Sequence, residues 1–122
     1  MPYSEKELTE LLSKIQDNFE KTWNAGDSKK FVELYHPEGV LVLTGKWVAH
    51  GRKAVGEKYA SLSAFKIHLK SDVNLEAGNG EYLIQKGRYE FKDKPGVYMP
   101  YEQIYKRELD GTYLIYHDEF IM

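Results

Sequence analysis

Few side chains in this sequence can do chemistry, and their types narrow that chemistry at once. There is no cysteine. Thiolate nucleophiles, thiolate metal sites, iron–sulfur clusters and disulfides are therefore excluded. The histidines are His36, His50, His68 and His117. They are scattered without metal-ligand spacing, so no zinc site is expected. Gly78-Asn79-Gly80 reads as a hairpin turn, and no helix follows it to hold a phosphate. Gly-x-Ser-x-Gly, a P-loop and an acidic metal cluster are all absent. What remains are carboxylates, side-chain amides, guanidinium groups and ten tyrosines. Tyrosine has an apolar body and a polar tip, so such an excess points to a wet-ended cavity or an interface. Neither a metal nor an organic cofactor is expected.

The elements that must position these residues are legible as periodicities. Ser4-Glu5-Lys6-Glu7 reads as a capping box, with Tyr3 and Leu8 placed for a hydrophobic staple. Leu8, Leu11, Leu12, Ile15, Phe19 and Trp23 follow at helical spacing, and Gly26 should end that helix. Asp27 should cap a second helix with Phe31, Leu34 and Tyr35 on its apolar face, ended by His36-Pro37, with His36 in an exposed turn. Val40 to Thr44 is a β-branched strand, Lys46 to Ala49 pairs back, and Arg52 to about Ser63 reads as a third helix. The period then changes to two. Phe65, Ile67 and Leu69, then Leu83, Gln85, Gly87, Tyr89 and Phe91, then Met99, Tyr101, Gln103 and Tyr105 each alternate with polar residues. Thr112 to Ile121 is the last strand. Helices followed by a meander predict an α+β roll, the helices packed on one face of a curved, mainly antiparallel sheet.

Composition sets the class. A chain of 122 residues, 42% hydrophobic and 30% charged, predicts one globular domain over 1–122. The net charge of −2 argues against nucleic acid as a partner. No apolar run approaches the ~18 residues of a membrane span. The opening residues carry no apolar signal region, so a soluble, cytoplasmic protein is expected.

Three short signatures occur in order: Trp23-Asn24-Ala25-Gly26-Asp27 with Phe31-x-x-Leu34-Tyr35, then His50-Gly51-Arg52, then Asp110-Gly111-Thr112-Tyr113 with His117-Asp118-Glu119-Phe120. From about Leu8 to Phe120 the chain resembles the nuclear transport factor two-like superfamily, and within it the SnoaL-like group. The resemblance implies a cone: a bent sheet with helices across its concave side and a pocket between them. That superfamily includes ketosteroid isomerase, scytalone dehydratase, polyketide cyclases, a nuclear transport carrier and a kinase association domain, so fold does not give function.

Set against ketosteroid isomerase, the resemblance puts Phe19 where the isomerase has an oxyanion-donating tyrosine. It puts Leu43 at the general base and Gln103 at the second oxyanion donor. Two supporting tyrosines match, at Tyr35 and Tyr59. Leucine moves no proton and phenylalanine donates to no oxyanion, so that isomerisation is excluded, and only Gln103 could stabilise a developing charge. The same alignment implies that Leu114, Tyr116, Asp118 and Phe120 of the last strand face the cavity, as do Met99, Tyr101, Gln103 and Tyr105 of the strand before it. A slip of one residue would invert this assignment.

The expected site thus has Asp118 and Gln103 as candidate catalytic groups. Phe19, Trp23, Tyr35, Leu43, Tyr59, Met99, Tyr101, Tyr105, Tyr116 and Phe120 are its candidate ligand-binding residues. A carboxylate in such surroundings has its pKa raised by desolvation, which suits proton transfer near neutral pH. The plainer role for Asp118 is to accept hydrogen bonds from Arg52, a tyrosine hydroxyl or a backbone amide. Gln103 could orient a ligand carbonyl or simply partner Asp118. The expected ligand is a small apolar or aromatic molecule with one hydrogen-bonding group. Cofactor-free isomerase, dehydratase or hydrolase-like chemistry is one use of such a site. The alternative is a non-catalytic dimerisation or interaction module. Tyr98, Ile104, Tyr113 and Ile115 are expected on the outer sheet face, where they would form a homodimer surface.

Overall fold

The computed structural model describes residues 2–122. Helix α1 spans Glu5–Ala25 and begins with the expected box: the Glu7 amide donates to Ser4 Oγ at 3.1 Å, and the Ser4 amide donates to Glu7 Oε1 at 2.9 Å. It ends where Gly26 turns left-handed at φ 75°. Its buried face is Leu8, Leu12, Phe19 and Trp23. Helix α2, Ser28–Val32, is capped by the Asp27 carboxylate, which accepts from the amides of Lys29 and Lys30.

The second helix is shorter than expected. Tyr35 does not lie on it but opens strand β1, Tyr35–Leu43, and pairs with Ile115. Pro37 is the reason: it disfavours helical dihedrals at His36, so the chain goes extended. The ladder breaks between Tyr35 and Val40 and resumes after Gly39, which lies so close to the last strand that an added Cβ would meet the Ile115 carbonyl oxygen at 2.6 Å. His36 is accordingly half-buried on β1 and sits edge-on to Tyr116 rather than in an exposed turn. Strand β2, Trp47–His50, returns against β1, and helix α3, Gly51–Leu62, follows.

Four strands complete the molecule: β3 Ile67–Ala77, β4 Tyr82–Phe91, β5 Met99–Arg107 and β6 Tyr113–Phe120. The six strands lie in the order β2-β1-β6-β5-β4-β3, antiparallel throughout except for the β1–β6 pair. The edge strand β3 is capped by side chains from α1. Asn24 exchanges hydrogen bonds with Ile67 in both directions, Glu20 accepts from the Leu69 amide and Gln16 donates to the Leu69 carbonyl. These side chains occupy backbone groups that an edge would otherwise offer to another chain.

One bulge decides which residues of β6 face inward. Gln103 pairs with Asp118 and Ile104 with His117, but Tyr105 pairs with Ile115, leaving Tyr116 as the extra residue. A bulge shifts parity by one. Ile115 is therefore in the core at 1% exposure, while Tyr116 is 39% exposed on the outside. The expected inward positions of Leu114 and Tyr116, and the expected outward positions of Tyr113 and Ile115, are all reversed. Asp118, on the other side of the bulge, keeps its inward parity.

The core between helices and sheet is strongly aromatic. Phe31 and Tyr59 stack with centroids 4.0 Å apart, and Trp23 meets both rings edge-on. The Tyr59 hydroxyl donates to the Trp23 carbonyl at 2.5 Å, tying α3 to α1. No described helix is long and apolar enough to cross a membrane.

Candidate functional site

Strand register brings three polar side chains into one row on the concave face: Gln85 opposite Gln103, and Gln103 opposite Asp118. All three are buried. The row continues to Leu41 on β1. The neighbouring row is Gly87, Tyr101, Phe120 and Leu43. Gly87 lets that row close up: an added Cβ would stand 2.1 Å from the Lys70 carbonyl oxygen and 2.9 Å from the Tyr101 ring.

Hydrogen bonds fix the row. Tyr35 Oη donates to Asp118 Oδ2 at 2.6 Å, and Gln103 Nε2 donates to the same oxygen at 3.3 Å. Tyr105 Oη donates to Gln103 Oε1, which sets the amide orientation. Tyr101 Oη donates to Gln85 Oε1 at 3.0 Å, and Gln85 Nε2 donates to Asn74 Oδ1 at 3.2 Å. Among the described residues no donor reaches Asp118 Oδ1. One carboxylate oxygen is therefore held by the protein, and the other accepts no hydrogen bond from the described residues.

Asp118 is 4% exposed. Burial pushes its carboxyl up to about 6, against the pull of the hydrogen bonds from Tyr35 and Gln103. Burial and then the Asp118 charge hold the Tyr35 and Tyr105 hydroxyls well above the ordinary tyrosine range. They stay protonated and act as donors. Burial likewise raises Tyr89 to about 12. A carboxyl titrating near neutrality can donate a hydrogen bond below its pKa and accept one, or take a proton, above it.

Asp118 and Gln103 face a cavity with about 40 Å³ of room for the centre of a water-sized sphere. Its walls also include Phe19, Trp23, Tyr101 and Phe120. The other expected residues stand elsewhere. Tyr35 and Tyr105 lie behind the wall and act through their hydroxyls. Tyr59 belongs to the aromatic core. Leu43 is buried beyond the cavity, opposite Phe120 and Trp47. Met99 is half-buried with its sulfur 3.9 Å from the Tyr89 hydroxyl and is not a wall. Tyr116 points out. Arg52 spends its guanidinium on the Tyr35 carbonyl, at 2.8 Å, rather than on Asp118. The histidines stay outside the cavity, each beside a carboxylate: His36 by Glu108, His50 by Glu38, His68 by Glu20 and His117 by Glu119.

The remaining walls are Leu41, Leu62, Phe65, Ile67, Leu69, Tyr89, Phe91 and Met122. The alternation of β3 and β4 could have supplied Ile67, Leu69, Tyr89 and Phe91. Leu62 and Phe65 flank the end of α3, where no period marks them. Phe65 and Met122 are substantially exposed and make the mouth apolar. Among the described residues no group of His, Asp and Glu is arranged to hold a metal ion.

A helical layer lies across the concave face of a bent six-stranded sheet, with the buried polar row at the base of the cavity between them. The fold is the nuclear transport factor two-like cone. This cone is shared with a putative calcium/calmodulin-dependent protein kinase II association domain from Xanthomonas campestris, at TM-score 0.75 and 20% identity over 90% of this chain and 84% of that one. A ketosteroid isomerase-like protein from Erwinia carotovora atroseptica matches at TM-score 0.70 and 15% identity, over 97% of each chain. SalBIII, an epoxide hydrolase/cyclase-like enzyme with a role in pyran ring formation in salinomycin, matches at TM-score 0.64 and 16% identity over 89% and 88%. No family model matches the sequence, and no curated protein does.

Proposed function

We propose that this cone binds a small, mainly apolar molecule carrying one hydrogen-bonding group, with Asp118 Oδ1 as its polar anchor. The observation that carries the reading is the asymmetry of the carboxylate. Oδ2 is held by Tyr35 and Gln103, Oδ1 has no protein donor among the described residues, and the surrounding walls are almost wholly apolar. That oxygen is open to the cavity rather than sealed off, and a ligand hydroxyl there would replace its solvent contact with a hydrogen bond in apolar surroundings. The narrow cavity suits about one ring. Phenol is the probe. Above the Asp118 pKa its hydroxyl donates to Oδ1 while its ring meets Trp23 and Phe19. Saturable phenol binding that weakens in Asp118→Asn supports the reading, and absence of saturation at millimolar phenol overturns it.

Catalysis is the extension of the same site. Asp118 would take or return a proton, as in a cofactor-free isomerase, dehydratase or hydrolase. Structural neighbours described as ketosteroid isomerase-like and epoxide hydrolase/cyclase-like support that class. Binding ranks first because Leu43 offers no base and Phe19 no oxyanion donor.

A homodimer through the outer sheet face is a separate reading, compatible with a cytoplasmic protein. Its support is a cross-strand row of Ile84, Ile104, His117 and Val40. Tyr113 and Ile115 no longer contribute, since both face inward. Sedimentation at micromolar concentration tests it, and a single species of 14.2 kDa would reject it.

A further inference from the structure

A groove distinct from the cavity lies on the other side of Phe19. Ile15, Leu34, Ile115 and the ring of Tyr105 form its apolar lining, and Lys14 and Asn18 stand over it from α1. It offers about 200 Å³ of room for the centre of a water-sized sphere. Phe19 lines both spaces and partitions them.

The two polar heads are one helical turn apart, so they present together. Glu10 and Asp17 stand one turn to either side of Lys14, yet among the described residues no carboxylate comes within ion-pair distance of its ammonium. The Asn18 amide is likewise unengaged among the described residues, whereas Gln16 and Asn24 on the same helix are committed to β3. An ammonium with three donors and an amide, set over an apolar floor, is complementary to an anionic head with a short apolar tail.

We propose that this groove is a second binding site, for a small carboxylate with an apolar tail, held at its head by Lys14 and Asn18. The site is independent of what the cavity binds. Tyr105 nevertheless joins the two, since its ring floors the groove while its hydroxyl orients Gln103 beside Asp118.

Octanoate is the probe, followed by amide chemical shifts. Saturable shifts are expected at Lys14, Asn18, Leu34 and Ile115. Lys14→Gln should weaken octanoate by about two- to fivefold, the range an exposed ion pair supports. Lys14→Glu should abolish saturation while the rest of the spectrum stays that of the folded protein. Octanol, with the same tail and no charge, should give no saturable shift at these positions. Octanoate shifts confined to the cavity walls Leu41, Tyr89 and Phe120, unchanged affinity in Lys14→Glu, or no saturation at millimolar octanoate would each overturn the proposal. Phenol titrated into the unsubstituted protein reads the cavity separately, so either site can fail without the other.

Discussion

The Tyr35 hydroxyl donates to Asp118 Oδ2 at 2.6 Å, joining the first residue of β1 to the inner face of β6 across 83 positions of sequence. This contact exists because β1 and β6 are parallel neighbours and because Tyr35 left the helix its spacing suggested. It leaves the carboxylate with one committed oxygen and one available one.

Asp118 should make stability depend on pH with an unusual sign. Its folded pKa, about 6, lies above the ordinary value of 3.8, so the native state holds this proton more tightly than the unfolded chain. The stability linked to that proton is fully present below about pH 4 and is lost as pH rises through about 6. The loss is roughly 3 kcal/mol at most, at about 1.4 kcal/mol per unit of pKa difference. Asp118→Asn should remove this slope and raise Tm at pH 7.5 relative to the parent. Thermal denaturation of both proteins between pH 4 and 8 checks it.

Tyr35→Phe deletes the stronger donor to Asp118. The carboxyl pKa should rise above its value in the parent, because the hydrogen bond lowers it. The variant should also lose about 1.5 to 3 kcal/mol at pH 7.5, the range for a hydrogen bond to a charged group. A carbon-detected NMR titration of the Asp118 carboxyl reads the first effect, and urea denaturation the second.

The bulge in β6 predicts opposite responses from adjacent residues. Ile115→Ala should cost about 2 to 5 kcal/mol, since Ile115 is in the core. Tyr116→Ala should stay within about 0.5 kcal/mol of the parent, as an exposed side chain. A larger cost at Tyr116 than at Ile115 would mean that the strand has the unbulged register.

Gly87→Ala should be strongly destabilising. Its Cβ would meet the Lys70 carbonyl oxygen, which is backbone and cannot step aside. A cost of about 1 to 3 kcal/mol or more is expected from such overpacking. The Tyr101 ring, 2.9 Å from the same point, should shift, and phenol affinity should fall with it.

Ser4→Ala tests the start of α1. Loss of the N-cap should cost about 1 kcal/mol. A neutral result in urea denaturation would place the functional start of the helix further along the chain.

Local chemistry alone determined much of this protein. The capping box at Ser4, the left-handed stop at Gly26, and the period-two faces of β4 and β5 are short-range features, set by dihedrals and by the alternation of neighbouring side chains. They place Gln85, Tyr101 and Gln103 on the concave face without reference to any other strand. The resemblance carried by the three signatures added the cone and the inward parity of Asp118. Tertiary structure decided the rest. No local signal announces the extra residue at Tyr116, because a bulge arises from how two strands fit each other. The departure of Tyr35 from α2 was signalled only in part by Pro37, and its role as donor to Asp118 required a parallel pairing across 83 positions. The width of the cavity, and the groove behind Phe19, depend on where side chains from different elements meet. Periodicity gives the face a residue belongs to, and packing alone fixes what stands opposite it.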